Sequence, residues 1–188
     1  MKGLRPRPAN TEPLFRAALV ILKQQPETQF VLVVAPNRDP READQIIAAG
    51  KYDEQLRNSL RVIHHQTRDA LAAANVAAVA SGTATLEAAL LETPLVIVYK
   101  ESFANWHLLG SLITAEHYGL VNLIAGRRLA TELIQNNFTG ESLGRELLEL
   151  SEPERNAAMR AELKGVAERL GEGGASRRAA EAILCFVE

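Results

Sequence analysis

The feature that most constrains the fold of this chain is an alternation of short apolar runs with segments of helical periodicity. Phe30 to Val34 (FVLVV) is a continuous, valine-rich run between Pro26 and Pro36, which is typical of a parallel strand covered on both faces. Three further runs follow, separated by helical patterns: strands at 61–63, 76–79 and 95–98, helices at 67–74 and 83–91. Strands that alternate with helices predict βαβ units in a Rossmann-like, doubly wound parallel sheet.

Helical segments flank this alternation. The apolar series from Leu14 to Leu22 recurs at helical spacing and predicts a helix from Thr11 to Gln24. A short apolar piece lies at 120–124, and further helices are predicted at 106–115, 140–150, 153–170 and 175–186. Prolines interrupt residues 1–10, which predict an irregular leader. We expect residues 11–188 to form one domain with a helical C-terminal region.

The composition excludes several classes of protein. The chain has 188 residues, a formal net charge of -2 and no basic cluster of the kind that binds nucleic acid. Its single cysteine, Cys185, cannot form an internal disulfide, so a reducing cytoplasm is the simplest setting. No apolar stretch is long enough for a signal peptide or a membrane span. Peripheral contact with a membrane stays open.

The strongest local signal for a ligand is a Ser-Gly-Thr turn between a predicted strand and a predicted helix. Gly82 lets a ligand approach the backbone, and the hydroxyls of Ser81 and Thr83 can donate to phosphate oxygens. Glu87 follows one helical turn later and can accept hydrogen bonds from ribose hydroxyls. The alternative is structural: the two hydroxyls cap the helix, and Glu87 is a solvated surface charge.

Three separated segments carry a resemblance to a known family. They are SGTATLEAALLETPLVIVYK at 81–100, NLIAGR at 122–127 followed by ELIQ at 132–135, and GEGGAS at 171–176. Together they resemble the lipid-A-disaccharide synthases, which are glycosyltransferases with the GT-B fold. The resemblance implies that this chain is the C-terminal, donor-binding domain of such an enzyme.

The resemblance also implies a chemistry and a set of site residues. The family moves 2,3-diacylglucosamine from UDP to 2,3-diacylglucosamine 1-phosphate, by an inverting transfer that requires no metal or cofactor. The implied donor-binding residues are Ser81, Gly82, Thr83 and Thr85 around the phosphates, Glu87 at the ribose, and Asn122 and Glu132 along the cleft.

Part of the family pattern is not matched. The family's N-terminal domain carries the acceptor side and the carboxylate thought to act in catalysis, so we assign no catalytic base. A strand with a Gly-Ser-Arg loop normally precedes the first helix, and Arg5 or Arg7 is the local candidate to replace its arginine. Val121 and Thr131 stand where the family usually has proline. We expect a sheet truncated at its N-terminal edge, with an open edge that a partner, such as the missing domain, would cover.

Other residues and functions stay open as alternatives. His64 and His65 are interpreted as loop histidines, because no metal-ligand spacing accompanies them. An apolar group could pack in the core or contact an acyl chain, a membrane or a second subunit of a homodimer: Phe103, Trp106, Leu108 and Leu109. Arg177 and Arg178 could lie on a solvated helix face or contact an acidic ligand. The alternative functions are a non-catalytic UDP-sugar-binding subunit, an inactive fragment and, with less support, a UDP-sugar epimerase.

Overall fold

The structure is a computed structural model that describes residues 11–34, 52, 54–100 and 116–185. The strands are β1 (Phe30–Val34), β2 (Leu60–His64), β3 (Ala77–Ala80), β4 (Leu95–Tyr99) and β5 (Glu132–Ile134). The helices are α1 (Thr11–Gln24), α2 (Glu54–Ser59), α3 (Thr67–Ala73), α4 (Ala84–Leu90), α5 (Leu120–Ala125), α6 (Gly140–Ser151), α7 (Pro153–Leu170) and α8 (Ala175–Leu184). The predicted α/β class with a helical C-terminal region is confirmed.

The five strands of the described residues form two hydrogen-bonded groups, and the pairing within each group is parallel. β1 pairs with β2 from Phe30 opposite Leu60 to Val34 opposite His64. β4 lies between β3 and β5, with Ala77 opposite Leu95 and Ile97 opposite Glu132. Within the described ranges, no ladder joins β1 or β2 to the three-stranded group. The sheet is therefore divided between β1 and β2 on one side and β3, β4 and β5 on the other.

Helices cover both faces of the three-stranded group. α6 and α4 both pack against β3 and β4 but have at most minor contact with each other, so they lie on opposite faces. α1 packs against α6 and α2, whereas α3 packs against α4 and β1. This layering is the arrangement expected of a doubly wound sheet, in which successive crossovers place helices on both sides.

The most extensive helix–helix interface of the described residues is that between α1 and α6. α6 begins with a capping box, in which Thr139 Oγ1 accepts from Ser142 N at 3.1 Å. Gly144 lets α6 approach α1, because an added Cβ would lie 2.9 Å from Val20 Cβ. Gly140 has the same role opposite Arg16. Small residues at two successive turns of α6 therefore set the distance between these helices.

The core consists of two clusters that meet at α1. The larger cluster surrounds β4, whose residues from Leu95 to Val98 are all buried, and it includes Ala17 of α1. The smaller cluster contains Phe15 and Leu22 of α1 and packs against β1 and β2. α1 thus contributes apolar side chains to both halves of the divided sheet.

The sequence predicted most elements to within one or two residues of their observed bounds. It missed α2 and the three-residue strand β5, and it left 120–124 unassigned where α5 forms. The predicted helix at 106–115, the apolar group from Phe103 to Leu109, and Arg5 and Arg7 lie outside the described residues.

The final helix, α8, has its predicted position but buries none of its described residues. Ile183 and Leu184, on a helix with a clear apolar side, are each 64% exposed. Arg177 Nε pairs with Glu181 Oε1 at 2.8 Å, and Arg178 Nη1 donates to the carbonyl of Gly173 at 2.9 Å. Both arginines therefore have partners on the solvent-exposed helix.

Candidate functional site

The Ser-Gly-Thr turn lies directly after β3, at the carboxyl end of the strand. Ser81 N donates to Val98 O at 3.0 Å, so the turn starts from the ladder with β4. Gly82 has a φ of 147°, and no heavy atom lies within 4 Å of the position that a Cβ would take. The backbone at Gly82 is open to an incoming group, in a conformation that residues with a side chain rarely adopt.

Backbone N–H groups at this turn are available to a ligand. α4 begins at Ala84, and its first internal bonds run from Thr85 N to Gly82 O and from Leu86 N to Thr83 O. Among the described residues, no hydrogen bond uses the N–H of Gly82, Thr83 or Ala84. Consecutive free N–H groups in a turn form a concavity suited to an anion.

The hydroxyl groups of the turn differ in what they contact. Ser81 Oγ donates to the carbonyl of Tyr118 at 2.6 Å, and Thr85 Oγ1 donates to the carbonyl of Gly82 at 2.8 Å. Thr85 is completely buried, whereas Thr83 is exposed. Thr83 therefore has the hydroxyl that is open to a ligand, while Ser81 and Thr85 fix the shape of the turn. Direct contact of these two with phosphate stays a prediction.

Glu87 lies one helical turn beyond Thr83, and the two are joined by the hydrogen bond from Glu87 N to Thr83 O at 3.2 Å. Its side chain is exposed. Because residues four apart share a face of a helix, the carboxylate lies on the same side of α4 as the Thr83 hydroxyl. The site thus combines free N–H groups with an acceptor one turn away.

The buried Asn122 and the half-buried Glu132 form a hydrogen-bonded cluster that is linked to the turn through Tyr118. Asn122 is fully buried and uses both parts of its amide: Nδ2 donates to Ala130 O at 2.8 Å and to Glu132 Oε1 at 2.9 Å, and Oδ1 accepts from Leu129 N at 3.0 Å and Ala130 N at 2.8 Å. An amide has two donor hydrogens and two acceptor lone pairs, so the capacity of this side chain is filled.

Glu132 extends the cluster towards the Ser-Gly-Thr turn. Its Oε1 accepts from Tyr118 N at 3.0 Å and Gly119 N at 2.8 Å, in addition to Asn122. Tyr118 in turn accepts the hydrogen bond of Ser81. Gly119 allows this segment to cross β4 closely, because an added Cβ would clash with Ile97. Ser81, Gly82, Thr83, Thr85 and Glu87 follow the carboxyl end of β3, the edge at which open α/β sheets bind ligands. Asn122 and Glu132 are linked to them through Tyr118 but lie at the start of β5, where Glu132 is opposite Ile97 of β4.

His117 is a polar residue of this region that sequence reasoning missed. It is 8% exposed, and its buried Nδ1 has no hydrogen-bond partner. A lone histidine without a metal-ligand spacing carries no signal in the sequence. The two histidines that were considered, His64 and His65, lie at the end of β2, where His65 has a φ of 59°. In the described ranges, no group of three or more His, Cys, Asp or Glu residues is placed to hold a metal.

Comparison with known proteins adds the family to this geometry. The family model described as lipid-A-disaccharide synthetase matches residues 8–185, almost the whole chain. The chain belongs to this family. The match includes every residue of the candidate site and explains why the three motif segments occur in this order.

Individual members of the lipid-A-disaccharide synthase family agree. The chain is 38% identical over 177 residues to the lipid-A-disaccharide synthase of Syntrophus aciditrophicus, which covers 93% of the chain and 45% of that protein. It is 45% identical over 140 residues to the enzyme of Solibacter usitatus, a match that covers 73% of the chain and 37% of that protein. It is 35% identical over 173 residues to the enzyme of Anaeromyxobacter sp. strain K, a match that covers 92% of the chain and 44% of that protein. The chain spans less than half the length of these relatives.

None of the described helices has the length and apolar character needed to cross a membrane.

Proposed function

We propose that this chain is the nucleotide-sugar-binding part of a lipid-A-disaccharide synthase. The observation that carries the proposal is the open turn at Gly82, with free N–H groups on one side and the exposed Glu87 carboxylate one helical turn away. The N–H groups and the Thr83 hydroxyl would hold the diphosphate of UDP, and Glu87 would accept from the ribose hydroxyls.

The reaction that we propose for the whole protein transfers 2,3-diacylglucosamine from UDP to the 6-hydroxyl of 2,3-diacylglucosamine 1-phosphate. The products are a β-1,6-linked disaccharide and UDP. The N–H groups of the turn would stabilise the negative charge that develops on the departing diphosphate. The acceptor carries acyl chains, so we place the reaction on the cytoplasmic side of a membrane with peripheral contact.

In this proposal Asn122 and Glu132 are positioning residues. Asn122 is fully buried and all its hydrogen-bonding positions are filled. Glu132 uses Oε1 to hold the segment at Tyr118 and Gly119. The cluster would support the wall of the site next to Ser81 and leave contact with the donor to the residues of the turn.

Calorimetric titration of the chain with UDP and with uridine tests the proposal. Glu87→Gln should weaken the binding of both by about tenfold, because a hydrogen bond to a charged acceptor is replaced by a neutral one. Gly82→Ala should weaken the binding of UDP by about tenfold and change the affinity for uridine by no more than about twofold, because the new Cβ disturbs only the diphosphate side of the site.

Glu92→Gln is the matched control, because Glu92 is an exposed carboxylate just beyond the other end of α4. It should leave both affinities unchanged. Folded protein that binds neither UDP nor uridine would contradict the proposal, and equal losses in Glu87→Gln and Glu92→Gln would remove Glu87 from the site.

The second candidate function is a UDP-sugar-binding subunit that has no transfer activity of its own. The observation in its favour is that the groups of the candidate site, the N–H groups of the turn and the exposed Glu87, are groups that bind a ligand. Mass spectrometry of a reaction mixture with the acylated donor and acceptor distinguishes the two candidate functions. Disaccharide and UDP in equal amounts indicate transfer, and bound donor without product indicates the binding subunit.

A further inference from the structure

Residues 117–119 form a short segment that precedes α5 and contacts the Ser-Gly-Thr turn. Tyr118 is held from two directions: its carbonyl accepts from Ser81 Oγ at 2.6 Å, and its N–H donates to Glu132 Oε1 at 3.0 Å. Gly119 N donates to the same carboxylate oxygen at 2.8 Å. These bonds tie the segment to the turn after β3 through Ser81 and to β5 through Glu132.

The tie between the segment and the turn depends on a single hydrogen atom. A serine hydroxyl has one hydrogen to donate. The Tyr118 carbonyl and an ionised phosphate oxygen can only accept, so Ser81 Oγ cannot donate fully to both. A hydrogen bond to an ionised oxygen is roughly twice as strong as one between neutral groups. A diphosphate at the turn would therefore take the Ser81 hydroxyl away from Tyr118.

The three hydroxyls of the turn differ in whether they can make this exchange. Ser81 is half-buried and adjoins Gly82, where the backbone is open. Thr85 is completely buried, and its hydroxyl donates to the Gly82 carbonyl within the turn itself. Thr83 is exposed, so it can meet a phosphate without giving up a bond to residues 117–119. Ser81 is thus the residue through which a bound phosphate can act on the segment.

His117 makes the held position of the segment less stable than it would otherwise be. The residue is 8% exposed, and its buried Nδ1 has no hydrogen-bond partner among the described residues. A buried polar atom without a partner keeps the cost of its removal from water, so it disfavours the arrangement in which it occurs. The bond from Ser81 to Tyr118 opposes this effect. Loss of that bond would let the segment move until Nδ1 reaches solvent or a polar group.

We propose that the diphosphate of a UDP-sugar releases residues 117–119 by exchanging the hydrogen bond of Ser81. In the held position, Ser81 Oγ donates to the Tyr118 carbonyl. When a phosphate oxygen accepts from Ser81 Oγ, Tyr118 leaves the turn and His117 Nδ1 loses its isolation. This step rests on the proposed function, because it requires UDP at the turn, and it adds a movement that responds to the charged diphosphate.

Release of the segment and binding of UDP are linked in this scheme. A ligand shifts a conformational equilibrium only as far as it prefers one of the two states, and a change that stabilises the other state weakens its binding. Uridine has the nucleoside without the phosphates, so it should bind and leave the segment held. A substitution that stabilises the held position should weaken UDP and leave the affinity for uridine unchanged.

Amide hydrogen exchange of the chain, followed by NMR, tests the release at Tyr118 and Gly119. Their N–H groups donate to Glu132, and these bonds should open more often once the tie to Ser81 is lost. Saturating UDP should speed exchange at both amides by about threefold or more. Saturating uridine should leave both rates unchanged.

An internal control comes from the Leu129 and Ala130 amides, which donate to Asn122 Oδ1. They report on the neighbouring cluster and share no hydrogen bond with Ser81 or residues 117–119 in the described structure. Their exchange rates should stay unchanged with either ligand, so that a general loosening of the domain can be distinguished from release of the segment.

Two variants move the segment in opposite directions. Ser81→Ala removes the tie, so exchange at Tyr118 and Gly119 should be about threefold faster without ligand, and UDP should add nothing further. His117→Phe removes the isolated nitrogen, so exchange at these amides should be about threefold slower. It should also weaken UDP by about twofold and leave uridine unchanged.

Thr83→Ala is the matched control for Ser81→Ala, because it removes a hydroxyl from the same turn. Thr83 makes no printed bond to residues 117–119, so exchange at Tyr118 and Gly119 should equal that of the unaltered chain when no ligand is added. UDP at saturation should still speed it. If Ser81→Ala or His117→Phe does not fold, the comparison of UDP with uridine on the unaltered chain decides the question.

Calorimetry under the same conditions distinguishes release of the segment from binding of UDP. UDP that binds without speeding exchange at Tyr118 and Gly119 overturns the release and leaves the binding site in place. Equal acceleration by UDP and uridine also overturns it, because the segment would then not respond to phosphate. Unchanged exchange in folded Ser81→Ala would mean that Ser81 does not hold the segment. Absence of UDP binding overturns the release and the proposed function together.

Discussion

The stability contributed by Asn122 is the sharpest quantitative consequence of the structure. Its side chain makes four hydrogen bonds, to the backbone of Leu129 and Ala130 and to Glu132, and it is fully buried. A typical hydrogen bond contributes about 1 kcal/mol, and one to a charged group about 1.5–3 kcal/mol. Asn122→Ala should therefore lower the free energy of unfolding by about 4.5–6 kcal/mol.

Urea unfolding followed by circular dichroism measures this change. Asn136→Ala is the control, because Asn136 is an exposed asparagine near β5, and its effect should stay within about 0.5 kcal/mol. Amide exchange should also accelerate at Leu129 and Ala130, whose N–H groups lose their acceptor. A loss below about 1.5 kcal/mol in Asn122→Ala would refute the reasoning, because it would mean that water or the relaxed loop replaces the cluster.

Two further predictions concern helix packing and pH. Gly144→Ala should destabilise the protein by about 1–3 kcal/mol, because the new Cβ would clash with Val20. Gly165→Ala is the control: there is open space around Gly165, so the substitution should stabilise the protein by about 0.4–1 kcal/mol. Equal effects of the two substitutions in urea unfolding would contradict this account. Burial raises the pKa of Tyr52 above 10.0, with Glu12 adding to the rise and Arg16 opposing it. The folded state thus holds the Tyr52 proton more tightly than the unfolded state does. The free energy of unfolding should therefore fall as pH rises from about 10 through the folded-state pKa. Tyr52→Phe should remove this part of the fall when unfolding is measured at alkaline pH.

The sequence predicted the elements whose signals are local. The Phe30–Val34 run and the apolar face of α1 are strong periodic patterns, and both elements formed at the expected residues. β5 was missed because three residues beginning with Glu132 carry no strand signal. Its position depends on pairing with Ile97 of β4, which is a tertiary contact.

The candidate site also combines features that have a local sequence signal with features that depend on tertiary contacts. The turn and the spacing from Thr83 to Glu87 could be read from the sequence, because they depend on neighbouring residues. The hydrogen-bond partners of the side chains could not be predicted from the sequence. Ser81 donates to Tyr118, which lies 37 positions later, and Asn122 of α5 donates to Ala130 in the loop before β5. Buried His117 had no signal because an unpartnered nitrogen is a property of the packed structure.

The close packing of α1 against α6 also determines when the protein can fold during its synthesis. Thr11–Gln24 leaves the ribosome before the five described strands, whereas its partner, Gly140–Ser151, follows after them. Ala17, which is 1% exposed in the final structure, cannot reach its neighbours on α6 until then. Contacts between distant parts of a chain form slowly and leave apolar surface uncovered in the meantime. The apolar face that α1 turns towards α6 is therefore uncovered until α6 has been synthesised.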